Sequence, residues 1–231
     1  MIQQIESNDI GFTGLWSNAI KLDCGTLFLN QKLVDDIFFD KLTGITCASE
    51  SMIDKAIGYF QKNNSIPCVY SMDFPELDCL LEKKGFRHHD VQHVLKRTQP
   101  AAKTNVIKIT HDNINLWTGI FCQAYDCPDW ENPVKSILEN TLDSVDYMVD
   151  KSKSSCMALY EKDSILGLYC LGTVPSKRHH GTATSLIDFA SYHAVSKNLT
   201  LILETYGKDN LLEFYSKLGF VKVYHKKVYT I

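Results

Sequence analysis

The ten residues Val174-Pro-Ser-Lys-Arg-His-His-Gly-Thr-Ala183 place Lys177, Arg178, His179, His180 and a glycine between an apolar run and a stretch with helical periodicity. A helix start presents unpaired backbone N–H groups and the positive end of the helix dipole. Such a junction can hold a phosphate or pyrophosphate, with Gly181 permitting close backbone approach and the four neighbouring side chains adding donors. The segment does not follow G-x-x-x-x-G-K-[ST], and the glycine spacing of a dinucleotide fold is absent. Taken alone, it is equally an ordinary helix start with solvated basic residues.

The elements that must position this segment are legible on both sides of it. Ser155–Tyr160 and Ile165–Leu171 are apolar runs rich in β-formers, separated by the turn-like Glu161-Lys-Asp-Ser164. Pro175 ends regular pairing. From Ala183 onward, Leu186, Ile187, Ala190 and Ala194 follow the spacing of an amphipathic helix, with Asn198 as its stop. Leu199 to Thr205 reads as a buried strand. Asn210 and Glu213 then have capping-box spacing for a helix that Gly219 terminates. Strand, strand, helix, strand, helix, strand predicts an α/β (α+β layered) architecture with a mixed central sheet flanked by helices.

Two motifs now combine. Arg178-His-His-Gly-Thr-Ala183 matches R/Q-x-x-G-x-G/A, and Tyr215-Ser-Lys-Leu-Gly-Phe220 is similar to Y-x-K-x-G-F, with one helix and one strand between them. Residues 150–231 thereby resemble the GCN5-related N-acetyltransferase (GNAT) superfamily, with Leu168–Phe220 similar to its acetyl-CoA core. The resemblance implies that backbone groups of Leu171 and Thr173 meet the pantetheine arm of acetyl-CoA. It implies that the N–H groups of Arg178, His179, His180, Gly181, Thr182 and Ala183 cradle the pyrophosphate, and that Tyr215 protonates the departing CoA thiolate.

The chain departs from that pattern in places. His179 stands where many members have glycine, and Ala183 takes the last signature position, which the family tolerates. Lys208 replaces the asparagine often found seven residues before the tyrosine; Asn210, five before it, is either a helix N-cap or a cofactor contact. The segment between Tyr160 and Gly172 is short for two full strands, so one family strand is expected to be truncated. Tyr215 shares a face with Leu211 and Leu218, which suits a core aromatic as well as a catalyst. A phenol of pKa ~10 nevertheless matches a thiolate leaving group of pKa ~8.5. Glu204 interrupts an apolar strand, where a carboxylate is costly unless paired or wet. It either relays a proton from a bound amine or closes a salt bridge at the strand end. His193 and His225 read as structural.

The first half of the chain carries a fainter copy. Leu81-Glu-Lys-Lys-Gly-Phe86 aligns with Tyr215-Ser-Lys-Leu-Gly-Phe220 at an offset of 134 (215 minus 81), and Val94 and Leu95 meet Val228 and Tyr229 at the same offset. A linker, Thr98-Gln-Pro-Ala-Ala-Lys-Thr104, separates the halves. Two tandem GNAT-like units are therefore expected, residues 1–98 and residues 105–231. Leu81 takes the place of Tyr215 and no signature precedes it, so the first unit is the degenerate one, packing against the active copy and helping to form the acceptor cleft. Trp117, Tyr125 and Trp130 either line that cleft or belong to the core.

Composition narrows the partners. The 231 residues carry 24 Lys+Arg against 27 Asp+Glu, a net charge of −3, which argues against a dedicated nucleic-acid binder. Residues 1–20 hold no Lys or Arg, so the basic start of an export signal is missing. The longest apolar stretch, Ile165–Val174, falls short of the roughly 20 residues a membrane helix needs. Eight scattered cysteines without a C-x-x-C pair read as free, mostly buried thiols in a cytoplasmic protein, with no metal site. The function expected is direct acetyl transfer from acetyl-CoA to a primary amine on a small molecule or peptide, without nucleic acid or membrane as partner. A non-catalytic acyl-CoA-binding or sensing module, or a structural interaction protein, are the other readings.

Overall fold

The computed structural model describes residues 1–33, 36–99 and 101–231; Pro100, inside the linker, lies outside them. In chain order the elements are α1 (Ile2–Trp16), β1 (Asn18–Leu22), β2 (Gly25–Leu29), β3 (Lys41–Thr43), α2 (Glu50–Lys62), β4 (Cys68–Ser71), α3 (Pro75–Lys83) and β5 (Arg87–Arg97). There follow β6 (Val106–Lys108), α4 (Ile114–Tyr125), α5 (Glu131–Thr141), β7 (Asp146–Asp150), β8 (Ser155–Lys162), β9 (Ile165–Thr173), α6 (Thr182–Ser196), β10 (Thr200–Tyr206), α7 (Leu212–Lys217) and β11 (Val221–Thr230). The fold is mixed α/β, and none of the described helices is long and apolar enough to cross a membrane.

The chain divides into two compact, discontinuous units. One comprises Met1–Asn8, Leu95–Glu204 and Glu213–Val221. The other comprises Asp9–Val94, Thr205–Leu212 and Lys222–Ile231. The expected linker at 98–104 thus falls just past the Val94/Leu95 junction, and the segments 205–212 and 222–231 count with the residues of the first half.

In the first of these units, β6, β7, β8 and β9 are paired antiparallel in sequence order, and β10 runs parallel to β9. The β8–β9 hairpin turns on Asp163 and Ser164, both left-handed at φ 52° and 64°, the backbone of a two-residue type I′ hairpin. That tight turn lets both strands extend fully, from Lys162↔Ile165 to Ser155↔Thr173. Neither strand is truncated. The register slips between Cys156 and Ala158: Met157 faces two residues of β9, Cys170 and Leu171, with Cys170 at φ 52°. This is a β-bulge, which bends the strand and increases its twist. The core beneath is built from Leu168, Leu186, Ile187, Ala190, Leu201, Leu203, Tyr215 and Phe220, the apolar faces of α6, α7 and the strands. Trp117 on α4 is fully buried, donates from Nε1 to the carbonyl of Met157 at 3.0 Å and stacks on Phe121. It is a core residue.

In the second unit the strand order is β1-β2-β3-β4-β11-β5. β11 enters antiparallel to β4, with Lys227 opposite Ser71 and Thr230 opposite Cys68. Leu27, Leu42, Met52, Phe60, Leu77, Leu81 and Tyr229 form its core. A fully buried Asp9 accepts Lys41 Nζ and Lys226 Nζ, each at 2.9 Å, both ammonium groups being buried as well. Lys41 lies over the Phe38 ring at 4.1 Å. Cys24 and Cys47 form a disulfide with Cα atoms 5.6 Å apart, which corrects the expectation that all eight cysteines are free thiols. The two cysteines meet because the amide of Thr46 donates to the carbonyl of Cys24 at 2.8 Å, bringing the loop after β3 onto the β1–β2 turn. The other six remain thiols.

Candidate functional site

Residues 174–181 connect β9 to α6. Pro175–Lys177 make one 3-10 turn, after which His179 and Gly181 both turn left-handed, at φ 65° and 76°. Gly181 is the residue preceding the helix, and no side chain caps the first turn of α6. A Cβ built on Gly181 would meet nothing within 4 Å, so glycine is there for its backbone angle and for open access. Thr182, Ser185 and His180, with Thr104, Asp150 and Lys151, line an open cavity of about 440 Å³ against this helix start.

A polar framework supports the loop. Asp150 Oδ1 accepts the amides of Ser154 and Ser155 at 2.8 and 2.6 Å. Its Oδ2 accepts the amide of Ser152 at 2.8 Å and also the Ser152 hydroxyl. Burial alone would raise this carboxyl; the hydrogen bonds from Ser152, Ser154 and Ser155 outweigh it and hold the group below the usual carboxylate range. With its lone pairs so engaged, the ionised carboxylate builds the turn after β7. Arg178 braces the other side, Nε donating to the carbonyl of Thr173 at 3.3 Å and one terminal nitrogen to that of Ala124 at 3.2 Å. Gly172 makes this approach of α4 possible: a Cβ there would lie 2.8 Å from that of Ala124.

The structure gathers Thr173 and residues 178–183 around one junction. Leu171 follows the bulge and packs on the core cluster that contains Tyr215. The parallel register of β9 with β10 runs from Ile165↔Thr200 to Leu168↔Leu203, so among the described residues it stops short of Leu171 and Thr173. Tyr215 is 6% exposed, its ring edge-on to Phe214 and Phe220 at 5.2 and 5.7 Å. Glu204 follows the core residue Leu203 on β10, half-buried with Oε2 withdrawn from solvent. Asn210 is not an N-cap. It adopts φ 55° after a 3-10 turn at Gly207–Asp209, donates to the carbonyl of Lys208 at 3.3 Å, and leaves α7 to begin at Leu212. Tyr125 is exposed and Trp130 half-buried. His193 stacks on Phe189 at 6.0 Å, and burial lowers its pKa.

Sequence reasoning missed Asp150, Lys151 and Ser155. The signal for the first was present: in Asp150-Lys-Ser-Lys-Ser-Ser155 an aspartate precedes serines at the short offsets where a carboxylate caps its own following turn.

No protein-family model and no curated protein matches this sequence. Solved structures do. A GCN5-related N-acetyltransferase from Kribbella flavida superposes with a TM-score of 0.71 at 13% identity, covering 98% of this chain and 93% of its own. A functionally unknown conserved protein from Staphylococcus epidermidis gives 0.65 at 16% identity, covering 93% of each chain. A tandem GNAT protein from the clavulanic acid biosynthesis pathway gives 0.58 at 9% identity, covering 90% of this chain and 78% of its own. At these identities the likeness is one of fold.

Proposed function

We propose that this chain, which has the fold of the GNAT acetyltransferases, is an acetyl-CoA-dependent N-acetyltransferase that moves an acetyl group directly to a primary amine on a small molecule or peptide. The observation that carries the reading is the uncapped start of α6, with Gly181 left-handed and open, facing a cavity rimmed by Lys151 and His180. The N–H groups of residues 180–183 would hold the pyrophosphate there, and the edge of β9 at Leu171 and Thr173 the pantetheine arm. Acetyl-CoA supplies an activated thioester. The chain orients it, backbone N–H groups stabilise the oxyanion that develops as the amine attacks, and Tyr215 gives its phenolic proton to the thiolate. Glu204 accepts the amine's proton.

The tandem organisation belongs to the same proposal. α3 and α7 end alike, on Gly85 at φ 88° and Gly219 at φ 80°, followed by the buried Phe86 and Phe220. A solved tandem GNAT protein supports it. The copy bearing Leu81 has no phenol at that position and serves the acceptor side. The location proposed is the cytoplasm, in line with the six thiols though not with the Cys24–Cys47 bridge; cell fractionation tests it.

A thiol-release assay with acetyl-CoA against pools of amines and peptides tests the function. Release that depends on an amine supports transfer. A second reading, a non-catalytic acyl-CoA-binding module, is favoured by one feature: His179 holds a left-handed backbone that glycine adopts more easily. CoA binding in calorimetry with no turnover on any amine would select it.

A further inference from the structure

Three hydroxyls join the two ends of the 174–181 loop. Thr173 is the last residue of β9, Thr182 the first of α6, and Ser155, fully buried, the first of β8. Ser155 Oγ donates to Thr182 Oγ1 at 2.7 Å and lies 2.8 Å from Thr173 Oγ1. A serine hydroxyl has a single proton. With that proton on Thr182, the direction at Thr173 follows: Thr173 donates and Ser155 accepts. The chain therefore runs in one direction, Thr173 to Ser155 to Thr182. Its last member has an oxygen already accepting and a proton the chain does not use, and Thr182 lines the cavity. Ser155 is fixed in turn by its amide, which donates to Asp150 Oδ1 at 2.6 Å.

We infer that Ser155 is a positioning residue for the binding site: by donating to one lone pair of Thr182 Oγ1 it turns the Thr182 O–H away from itself, as a donor aimed at the phosphate groups of the ligand. The inference rests on the CoA-binding reading above. Hydrogen bonds in series polarise one another, so the terminal donor is strengthened by the two behind it. A donor to a charged phosphate is also worth more than one between neutral groups.

Calorimetric titration with CoA, and separately with inorganic pyrophosphate, tests this on the full chain, with thermal melting to confirm folding. Thr182→Val should weaken CoA binding about tenfold or more, and Ser155→Ala roughly three- to tenfold. Thr182→Ser, which keeps the hydroxyl, should bind nearly as wild type. The double variant Ser155→Ala/Thr182→Val should bind no more weakly than Thr182→Val alone, because Ser155 acts only through that hydroxyl. Thr173→Val, which removes the first donor and spares Ser155, should give a smaller loss in the same direction and stands in should Ser155→Ala not fold. Wild-type affinity in a folded Ser155→Ala, or losses that multiply in the double variant, would overturn the positioning role. A wild-type protein that binds neither CoA nor pyrophosphate would instead overturn the reading of the site, and this inference with it.

Discussion

Leu81 and Tyr215 hold the same backbone position in two separate helices: the carbonyl of each accepts, at 3.0 Å, the amide of the phenylalanine five residues later, Phe86 and Phe220. Both side chains are buried, yet only one carries a hydroxyl. Tyr215→Phe keeps the ring packed against Phe220 and removes the proton. Turnover should fall roughly 10²–10⁴-fold while KM for acetyl-CoA moves little, as steady-state kinetics would report. Leu81→Ala should cost about 2–5 kcal/mol in urea unfolding but leave the turnover of the folded protein near wild type.

The left-handed residues of the loop give a paired prediction. At His179, a non-glycine at φ 65° costs about 1 kcal/mol or more, so His179→Gly should raise folding stability by relieving that strain while leaving CoA affinity near wild type. Gly181→Asp acts in two ways, straining φ 76° and setting a carboxylate against the anion site. Gly181→Ala separates the two effects, and its loss of affinity should be the smaller. Calorimetry alongside thermal melting distinguishes binding from folding.

Asp9 makes stability depend on pH. Burial alone would raise its pKa, but Lys226 and Lys41 pull it well below the usual carboxylate range. The unfolded chain therefore binds this proton more readily, so the stabilising contribution is complete above about pH 4 and is lost as pH falls below that. Asp9→Asn should cost about 3–5 kcal/mol at pH 7, because two ammonium groups stay buried without that carboxylate. In urea unfolding, the gap between wild type and variant should narrow as pH falls from 5 towards 2.

The Cys24–Cys47 bridge closes a loop with a sequence separation of 23. Dithiothreitol should lower the stability of the wild type by about 3 kcal/mol and leave the Cys24→Ser/Cys47→Ser protein unchanged. Non-reducing peptide mapping would show the cross-linked pair directly.

Periodicity made part of this fold legible. Leu186, Ile187, Ala190 and Ala194 all lie buried where the helical spacing put them, the runs at 155–160 and 165–171 are strands, and the run expected at 199–205 is the strand Thr200–Tyr206. Asn210 misled because the same local chemistry served a different turn. Asp209 Oδ2 accepts the Tyr206 amide at 3.1 Å, closing a 3-10 turn that uses up the segment before α7 can start. The disulfide was illegible because cysteine spacing carries no distance information when the intervening loop folds back. Of the junction before α6, the glycine and the basic residues were visible as a motif. The framework of Asp150, Ser152 and Ser155 was missed although Asp150-Lys-Ser-Lys-Ser-Ser155 has the spacing of a self-capping turn, because such short polar segments between strands equally suit a solvated loop. The bulge at Cys170 left no mark either, because an apolar residue in a left-handed backbone is dictated by its neighbours in the sheet.

The place of β11 has a consequence for how the protein is made. In its sheet this strand lies between β4 and β5, elements synthesised well before it, and it is paired to β4 from Lys227 to Thr230. Residues 9–94 emerge from the ribosome with a gap where their central strand belongs, and more than a hundred further residues must be translated before the strand arrives. Until then the facing edges of β4 and β5 are open templates for another chain. Val228 and Tyr229, both buried once docked, close that window, so nascent chains arrested before residue 222 should depend on chaperones far more than completed ones do.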